Sequence, residues 1–206
     1  MRCLCVCSLL LLVSATNAGW VDEIISQVGG LFHSYEEAPY TVDAKHTGYE
    51  ERTYPAKKWV CSEEMSEDGT RVMEQLFWRL FRYIDGENLA EVKIPMTVPV
   101  TTEFTANREQ DSYKMCFFVP EQMQENPPTP TNAKIVIDLR PEMTVFTRTV
   151  GGYMVTTSDW LSEAANLSEL VEDDGIKVSL VHMFWAGYDA PLKYWWRRNE
   201  VWFPKV

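Results

Sequence analysis

Alternating apolar and polar positions run through most of the chain and predict a protein rich in β-strands. These segments are enriched in Val, Thr and aromatic residues, which favour an extended backbone. The predicted strands are Tyr49 to Tyr54, Lys57 to Ser62, Ile94 to Thr101, Tyr113 to Val119, Ile135 to Leu139, Thr144 to Val150, Tyr153 to Thr157, Val178 to Trp185 and Glu200 to Phe203.

Apolar residues at helical spacing predict three further segments. A strong amphipathic helix covers Thr70 to Ile84, and a weaker one runs from about Asp159 to Val171 with Ser158 as its N-cap. Trp20 to Phe32 has the same spacing over a shorter length. We interpret it as a short helix or an ordered arm.

The predicted elements follow the order strand, strand, helix, strand, strand twice, on either side of the proline-rich segment 126–130. Tyr49 to Thr53 is echoed by Val145 to Thr149, and Phe117 to Pro120 by Val201 to Pro204. Chance similarity of strand composition is the alternative. A duplicated unit predicts an α+β fold in which both helices pack on a curved antiparallel sheet, with a cleft between helix and sheet edges.

The first residues have the form of a signal peptide, because Arg2 precedes the apolar run Cys3 to Val13 and small residues follow. The run is too short to span a membrane. Cleavage after residues 1–18 would leave 188 residues, enough for one domain. We therefore expect a secreted protein with an N-terminal arm at 19–45 and one domain at 46–206.

Charge and cysteine content narrow the partners and the compartment. The net charge is −11, or −12 once Arg2 leaves with the leader, which argues against nucleic acid and anionic lipid surfaces as partners. No later segment approaches the roughly 20 apolar residues of a membrane span, so we expect no membrane insertion. Cys61 and Cys116 are the two cysteines beyond the leader, and we expect a disulfide, with two buried thiols as the alternative. The sequon at Asn166 predicts a surface glycosylation site.

The predicted helix Thr70 to Ile84 carries more large apolar side chains than one contact face needs. At about 100° per residue one arc forms the core face, made of Val72, Met73, Leu76, Leu80, Tyr83 and Ile84. Phe77, Phe81 and Trp78 lie at or beyond the edge of that arc, and Arg82 is adjacent to Trp78. This composition suits a flat apolar ligand with acidic groups, or else rings that pack under the sheet or the arm.

Four motifs give the chain a family resemblance. They are KIPMTVPV at Lys93 to Val100, EMTVF at Glu142 to Phe146, AGYDAP at Ala186 to Pro191 and RNEVW at Arg198 to Trp202. Over residues 45–204 the chain resembles the SOUL haem-binding protein family. The resemblance implies a twisted β-barrel flanked by two helices, and reversible binding of haem or another tetrapyrrole for transport, scavenging or storage.

The resemblance also assigns candidate ligand-binding residues. In the family the first helix lines the cleft, and basic residues there and before the last strand meet the haem propionates. The matching positions here are Arg82 and Lys193, with Phe77, Trp78 and Phe81 as the apolar wall. Well-studied members are cytosolic, so the leader and the cysteine pair suggest an extracellular branch.

Iron ligation is not expected from this chain. Thr53 stands where some relatives have a histidine proposed as the axial ligand, and Glu74 stands where some have a basic residue. His33, His46 and His182 are isolated in sequence. We expect haem to bind with weak or no protein ligation, so that a metal-free porphyrin binds nearly as well.

Two other functions are considered besides tetrapyrrole binding. Residues 19–206 contain no nucleophile elbow, zinc-protease motif, phosphate loop or C-x-x-C, so we expect no enzyme. A protein-interaction or signalling role could act through the arm Gly19 to Phe32, although simple docking of the arm would explain its pattern as well. Glu200 could instead make the chain a sensor or hydrolase of a small cationic ligand, unless it pairs with Arg197 or Arg198.

Overall fold

The computed structural model describes residues 35–189 and 197–205. Two α-helices occur there, α1 (Gly69–Ile84) and α2 (Thr157–Asp173), with a 3₁₀ turn at Glu121–Met123. The strands are β1 (Glu36–Glu37), β2 (Thr41–Lys45), β3 (Glu50–Tyr54), β4 (Lys57–Ser66), β5 (Thr97–Val98), β6 (Val100–Thr105), β7 (Asp111–Phe118), β8 (Val136–Arg140), β9 (Met143–Val150), β10 (His182–Gly187) and β11 (Asn199–Pro204).

Nine strands form one curled antiparallel sheet, a half-barrel with the order β2-β3-β9-β11-β10-β6-β7-β4-β8. Strands β1 and β5 form a separate parallel pair. Outward from the central pair β10 and β6, the two sides match as β11 with β7, β9 with β4, and β3 with β8. The two halves are therefore β3-β4-α1-β6-β7 and β8-β9-α2-β10-β11, which confirms the predicted duplicated α+β fold.

The predicted strand Tyr153 to Thr157 is wrong. Gly152 has a φ of 82°, which turns the chain after β9. Thr156, not Ser158, then caps α2: its hydroxyl accepts from the Asp159 amide, and the Asp159 carboxylate accepts from the Thr156 amide. This reciprocal capping box starts the helix where composition favoured a strand.

The register of the repeat also differs from the one predicted. The sequence pattern predicts that Tyr49 to Thr53 and Val145 to Thr149 are equivalent, but they fall on β3 and β9, which are hydrogen-bonded neighbours. The equivalent of β9 is β4, and β8 supplies the strand before it. The echo between the last strands of the halves, β7 and β11, agrees with the sheet order.

Side chains alternate between the two faces of the sheet, as the pleat requires. One face packs against both helices and forms the main core, which includes Phe104, Phe117, Phe146, Trp185 and Phe203. The other face carries a second apolar cluster around Val145, Phe184 and Trp202. Tyr35 and Tyr40, which flank β1, pack on this second cluster.

Helix α1 is fixed by its cap and by its inner face. The Asp68 side chain accepts a hydrogen bond from the Arg71 amide at 3.0 Å, which satisfies one backbone donor of the first turn. The buried inner side chains are Val72, Leu76, Leu80, Tyr83 and Ile84. Full burial of one leucine contributes about 1.5–3 kcal/mol, so Leu76 and Leu80 hold the helix firmly on the sheet. Met73, expected in the same arc, is only partly buried.

The expected leader at 1–18 and residues 19–34 of the arm lie outside the described residues. Residues 35–45 contain β1 and β2, and β2 extends the sheet as an edge strand. Neither α1 nor α2, the helices of the described part, has the length and apolarity needed to cross a membrane.

Candidate functional site

Three aromatic side chains of α1 form a cluster at the edge of the contact between helix and sheet. The rings of Phe77 and Phe81 are 5.9 Å apart, and Trp78 meets Phe81 edge-on at 5.6 Å. Phe77 also contacts Phe117 of β7 at 5.7 Å. We call Phe77, Trp78 and Phe81 the aromatic face.

The aromatic face is partly core and partly surface. Phe77 and Phe81 are half-buried and pack against the main core. Trp78 is 50% exposed, so it is not sealed under the sheet. The sequence leaves open whether these rings are ordinary core. In the structure the two phenylalanines are partly core, and the tryptophan is not.

The two arginines beside the aromatic face have different roles. Arg79 donates to Ser62 and to Glu64, both at 2.7 Å, and its side chain is only 13% exposed. Arg82 is 55% exposed and lies 3.8 Å from Glu87, a surface ion pair of little strength. Arg79 is therefore committed to the sheet, while Arg82 can turn to a ligand at small cost.

An open groove of about 380 Å³ runs along the outer side of Trp78. It is lined by Glu74, Gln75, Trp78, Arg79 and Arg82. Glu74 thus shares the groove with Arg82 and would repel an anionic group bound there. Lys193, the second predicted cation, lies outside the described residues and stays a prediction.

A buried charge cluster occupies the sheet face opposite to the helices. The Glu200 carboxylate accepts hydrogen bonds from Arg52 at 3.0 Å, Arg198 at 2.9 Å, the Tyr188 hydroxyl at 2.7 Å and the Trp202 indole at 2.9 Å. Its side chain is fully buried. Both carboxylate oxygens are occupied by these donors.

Electrostatics keep this carboxylate ionised. Burial alone would raise the pKa of Glu200, but Arg52 and Arg198 outweigh it and hold the pKa below its usual value. Of the two partners predicted for Glu200, Arg198 forms the ion pair. Arg197 instead lies over the ring of Tyr153, 4.5 Å from its centroid. With its oxygens engaged, Glu200 offers no open acceptor to a cationic ligand.

Neither described histidine lies on α1. His182 of β10 is 2.9 Å from Glu103, and His46, in the turn after β2, is 3.2 Å from Asp174. His33 is outside the described residues. Across the described ranges no group of three or more His, Cys, Asp or Glu side chains is placed to hold a metal ion.

Thr53 is held in a polar contact on the sheet. Its hydroxyl lies 2.6 Å from the Asp43 carboxylate and 2.7 Å from the Thr144 hydroxyl, which joins β3 to β2 and to β9. These contacts give the residue a structural role at the place where an axial histidine was considered.

The two cysteines beyond the expected leader are joined. Cys61 and Cys116 are directly opposed on β4 and β7, with their Cα atoms 4.1 Å apart, so the predicted disulfide is present. Asn166 is exposed on α2, while the sequon's Ser168 is buried and donates to Glu172 at 3.1 Å. Glycosylation of Asn166 stays a prediction.

A model of the family described as SOUL heme-binding protein matches residues 35–204. Heme-binding protein 1 of Xenopus tropicalis is 35% identical over 160 residues, which cover 76% of this chain and 83% of that protein. Heme-binding protein 2 of Homo sapiens is 31% identical over 169 residues, covering 81% and 82%. Heme-binding protein 1 of Sus scrofa is 31% identical over 183 residues, covering 85% and 96%.

Solved structures share the fold at lower sequence identity. The C-terminal domain of EcmrR superposes with a TM-score of 0.58 at 15% identity, covering 81% of this chain and 99% of that one. A hydrolase from Listeria innocua gives a TM-score of 0.52 at 10% identity, covering 87% and 97%. At these identities the likeness concerns the fold alone. The family match and the relatives of about 30–35% identity show more than the fold: the chain belongs to the SOUL heme-binding protein family.

Proposed function

We propose that this protein binds haem or a related tetrapyrrole non-covalently on the aromatic face of α1, and does no covalent chemistry on it. The observation that carries the proposal is the half-exposed Trp78, set beside half-buried Phe77 and Phe81. A planar apolar ring system would cover surface that the protein otherwise leaves in water. The relatives named heme-binding proteins point to the same ligand.

The propionate groups of haem need cations in a protein of strongly negative net charge. Arg82 is exposed, weakly paired and next to Trp78, and Lys193 is the second cation that the family resemblance assigns. Glu74 lies in the same groove and opposes them. Binding by this surface is therefore modest in strength and sensitive to local charge.

We propose that no side chain of this surface ligates the haem iron. The aromatic face and its neighbour Arg82 offer no side chain that ligates iron, and Thr53 is hydrogen-bonded within the sheet. Enclosure of the ring and pairing of the propionates then supply the affinity. A metal-free porphyrin offers both of these.

We also propose that binding takes place outside the cell, in transport, scavenging or storage. The leader-like residues 1–18 support secretion. The buried disulfide between Cys61 and Cys116 supports it as well, because such bonds persist mainly in oxidising compartments.

Absorbance titration of residues 19–206 with haem and with metal-free protoporphyrin tests the proposal. We expect saturable binding of both, at comparable affinities, and a haem spectrum without the low-spin signature of histidine ligation. Failure of both to bind would remove the proposed function. Binding of haem alone with a low-spin spectrum would show that an axial ligand exists and that the argument from Thr53 is wrong.

Reversal of the two cations should weaken haem binding in a salt-dependent way. Arg82→Glu together with Lys193→Glu should reduce the free energy of haem binding by about 1–3 kcal/mol per lost charge-assisted hydrogen bond. Added salt should reduce the difference in haem affinity between this variant and the unaltered protein. Arg108→Glu, at an exposed position between β6 and β7, is the matched control. If the double reversal binds as tightly as the unaltered protein at low salt, these cations do not meet the ligand.

Removal of the exposed indole should weaken binding at every salt concentration. Trp78→Ala takes away apolar contact worth about 1–2 kcal/mol, and its exposure means that the fold should keep its stability. Leu139→Ala, which removes a side chain that is 63% exposed on the edge strand β8, is the control. Unchanged haem affinity in Trp78→Ala would place the ligand elsewhere on the sheet.

A further inference from the structure

The groove beside Trp78 carries opposite charges at its two ends. Glu74, Trp78 and Arg82 stand at positions i, i+4 and i+8 of α1, and all three line the groove. Side chains at this spacing lie on the same side of a helix, one above the other. At a rise of about 1.5 Å per residue, Glu74 and Arg82 are about 12 Å apart along the helix axis. The groove therefore presents a carboxylate, an indole and a guanidinium in that order.

Glu74 and Arg82 set this polarity because the third charged residue of the groove is already paired. Arg79 lies 2.7 Å from Glu64, which balances its charge. Arg82 has a side chain that is 55% exposed, and Glu74 is exposed as well. A flat ligand that lies over Trp78 therefore meets an exposed carboxylate at one end of the groove and an exposed guanidinium at the other.

The separation of the two charges decides which carboxylates of a ligand are repelled. A carboxylate bound at Arg82 is about 12 Å from Glu74 along the axis, which exceeds the Debye length of about 8 Å at physiological salt. Its repulsion by Glu74 is therefore small. A carboxylate at the other end of the groove would lie beside Glu74, where two like charges repel each other even in water. Only one end of the groove accepts an acidic group.

We propose that the groove selects tetrapyrroles whose carboxylates all lie on one edge of the ring, and that it turns this edge toward Arg82 while Glu74 rejects carboxylates on the opposite edge. The inference rests on the proposed binding of tetrapyrroles at the aromatic face. Haem and protoporphyrin carry their propionates on adjacent pyrroles and meet the requirement. Coproporphyrin carries propionates around the whole ring and does not.

Mesoporphyrin and coproporphyrin test the selection, because mesoporphyrin has ethyl groups where the corresponding coproporphyrin has its additional propionates. Absorbance titration at physiological salt should show mesoporphyrin binding about 5- to 10-fold more tightly. The negative net charge of the protein contributes to this ratio, so the decisive variant is Glu74→Gln. It should raise coproporphyrin affinity about 3- to 5-fold and leave mesoporphyrin affinity within about 2-fold. Glu169→Gln, exposed on α2, makes the same change in net charge and should leave the ratio unaltered.

Charge reversal at the same exposed position sharpens the test. Glu74→Lys places a cation at the rejecting end, so coproporphyrin should then bind at least as tightly as mesoporphyrin. Equal affinities for the two porphyrins in the unaltered protein, or an unchanged affinity ratio in both Glu74 variants, would overturn the selection and leave the tetrapyrrole proposal standing. If mesoporphyrin itself does not bind, both proposals are overturned.

Discussion

Replacement of Glu200 by glutamine should lower the free energy of unfolding by about 3 kcal/mol, near the lower end of the range for breaking a buried ion pair. The amide keeps the shape of the side chain but removes the charge that Arg52 and Arg198 share. Arg52 is 6% exposed in its side chain and cannot turn to water. It retains Glu50, 2.7 Å away, which is why the loss falls at the lower end.

The loss should depend on pH in a way that identifies its cause. The folded-state pKa of Glu200 is lowered from 4.5, so the carboxylate stabilises the fold fully above pH 4.5, and this contribution fades as pH falls through the folded-state value. Urea unfolding of Glu200→Gln should therefore differ most from the unaltered protein near pH 7 and least in acid. Glu142→Gln, at an exposed position, is the control. A deficit that stays constant from pH 7 into acid would point to lost packing or neutral hydrogen bonds instead.

Local periodicity was sufficient to predict α1. Its apolar residues recur at helical spacing, and the five largest buried side chains of the helix all belong to the predicted arc. The same angular argument placed Trp78 outside that arc, and the half-exposed indole agrees with it. Periodicity works here because one face of the helix meets a single, continuous core.

Composition failed where turn and cap chemistry decide the backbone. Tyr153 to Thr157 has strand-like residues, yet Gly152 turns the chain and the Thr156–Asp159 capping box begins α2. Strand β2 was missed because its side chains are mostly exposed at the sheet edge, and an exposed edge strand shows no clear apolar alternation. Such segments depend on partners that only the sheet supplies.

The charge cluster around Glu200 includes a long-range ion pair that the sequence alone does not predict. The sequence offers Arg197 and Arg198 as partners of Glu200 because they lie within three positions of it. Arg52 is 148 positions away, and it reaches Glu200 only because β9 brings β3 and β11 into one sheet. No local pattern marks that pair.

Removal of the disulfide should cost about 4 kcal/mol of unfolding free energy, the largest single loss expected in this protein. Cys61 and Cys116 close a loop with a sequence separation of 55, and loop-closure entropy in the unfolded chain gives that magnitude. In the folded state β4 and β7 already pair from Trp59 to Ser66, so the bond adds little to native alignment. Its effect is on the unfolded state.

Equilibrium denaturation with and without reductant separates the lost bond from lost packing. Cys61→Ala with Cys116→Ala should be destabilised and should not respond to reductant. Both sulfurs are buried in the fold, so reductant reaches the bond in the unfolded chain. Under reducing conditions the unaltered protein should therefore lose most of the unfolding free energy by which it exceeds the double variant. Cys61→Ala alone should lose nearly as much as the double variant, since either change removes the whole bond. If the unaltered protein keeps the same unfolding free energy after reduction, then any loss in the alanine variants comes from the packing of the two buried cysteine side chains and not from the bond.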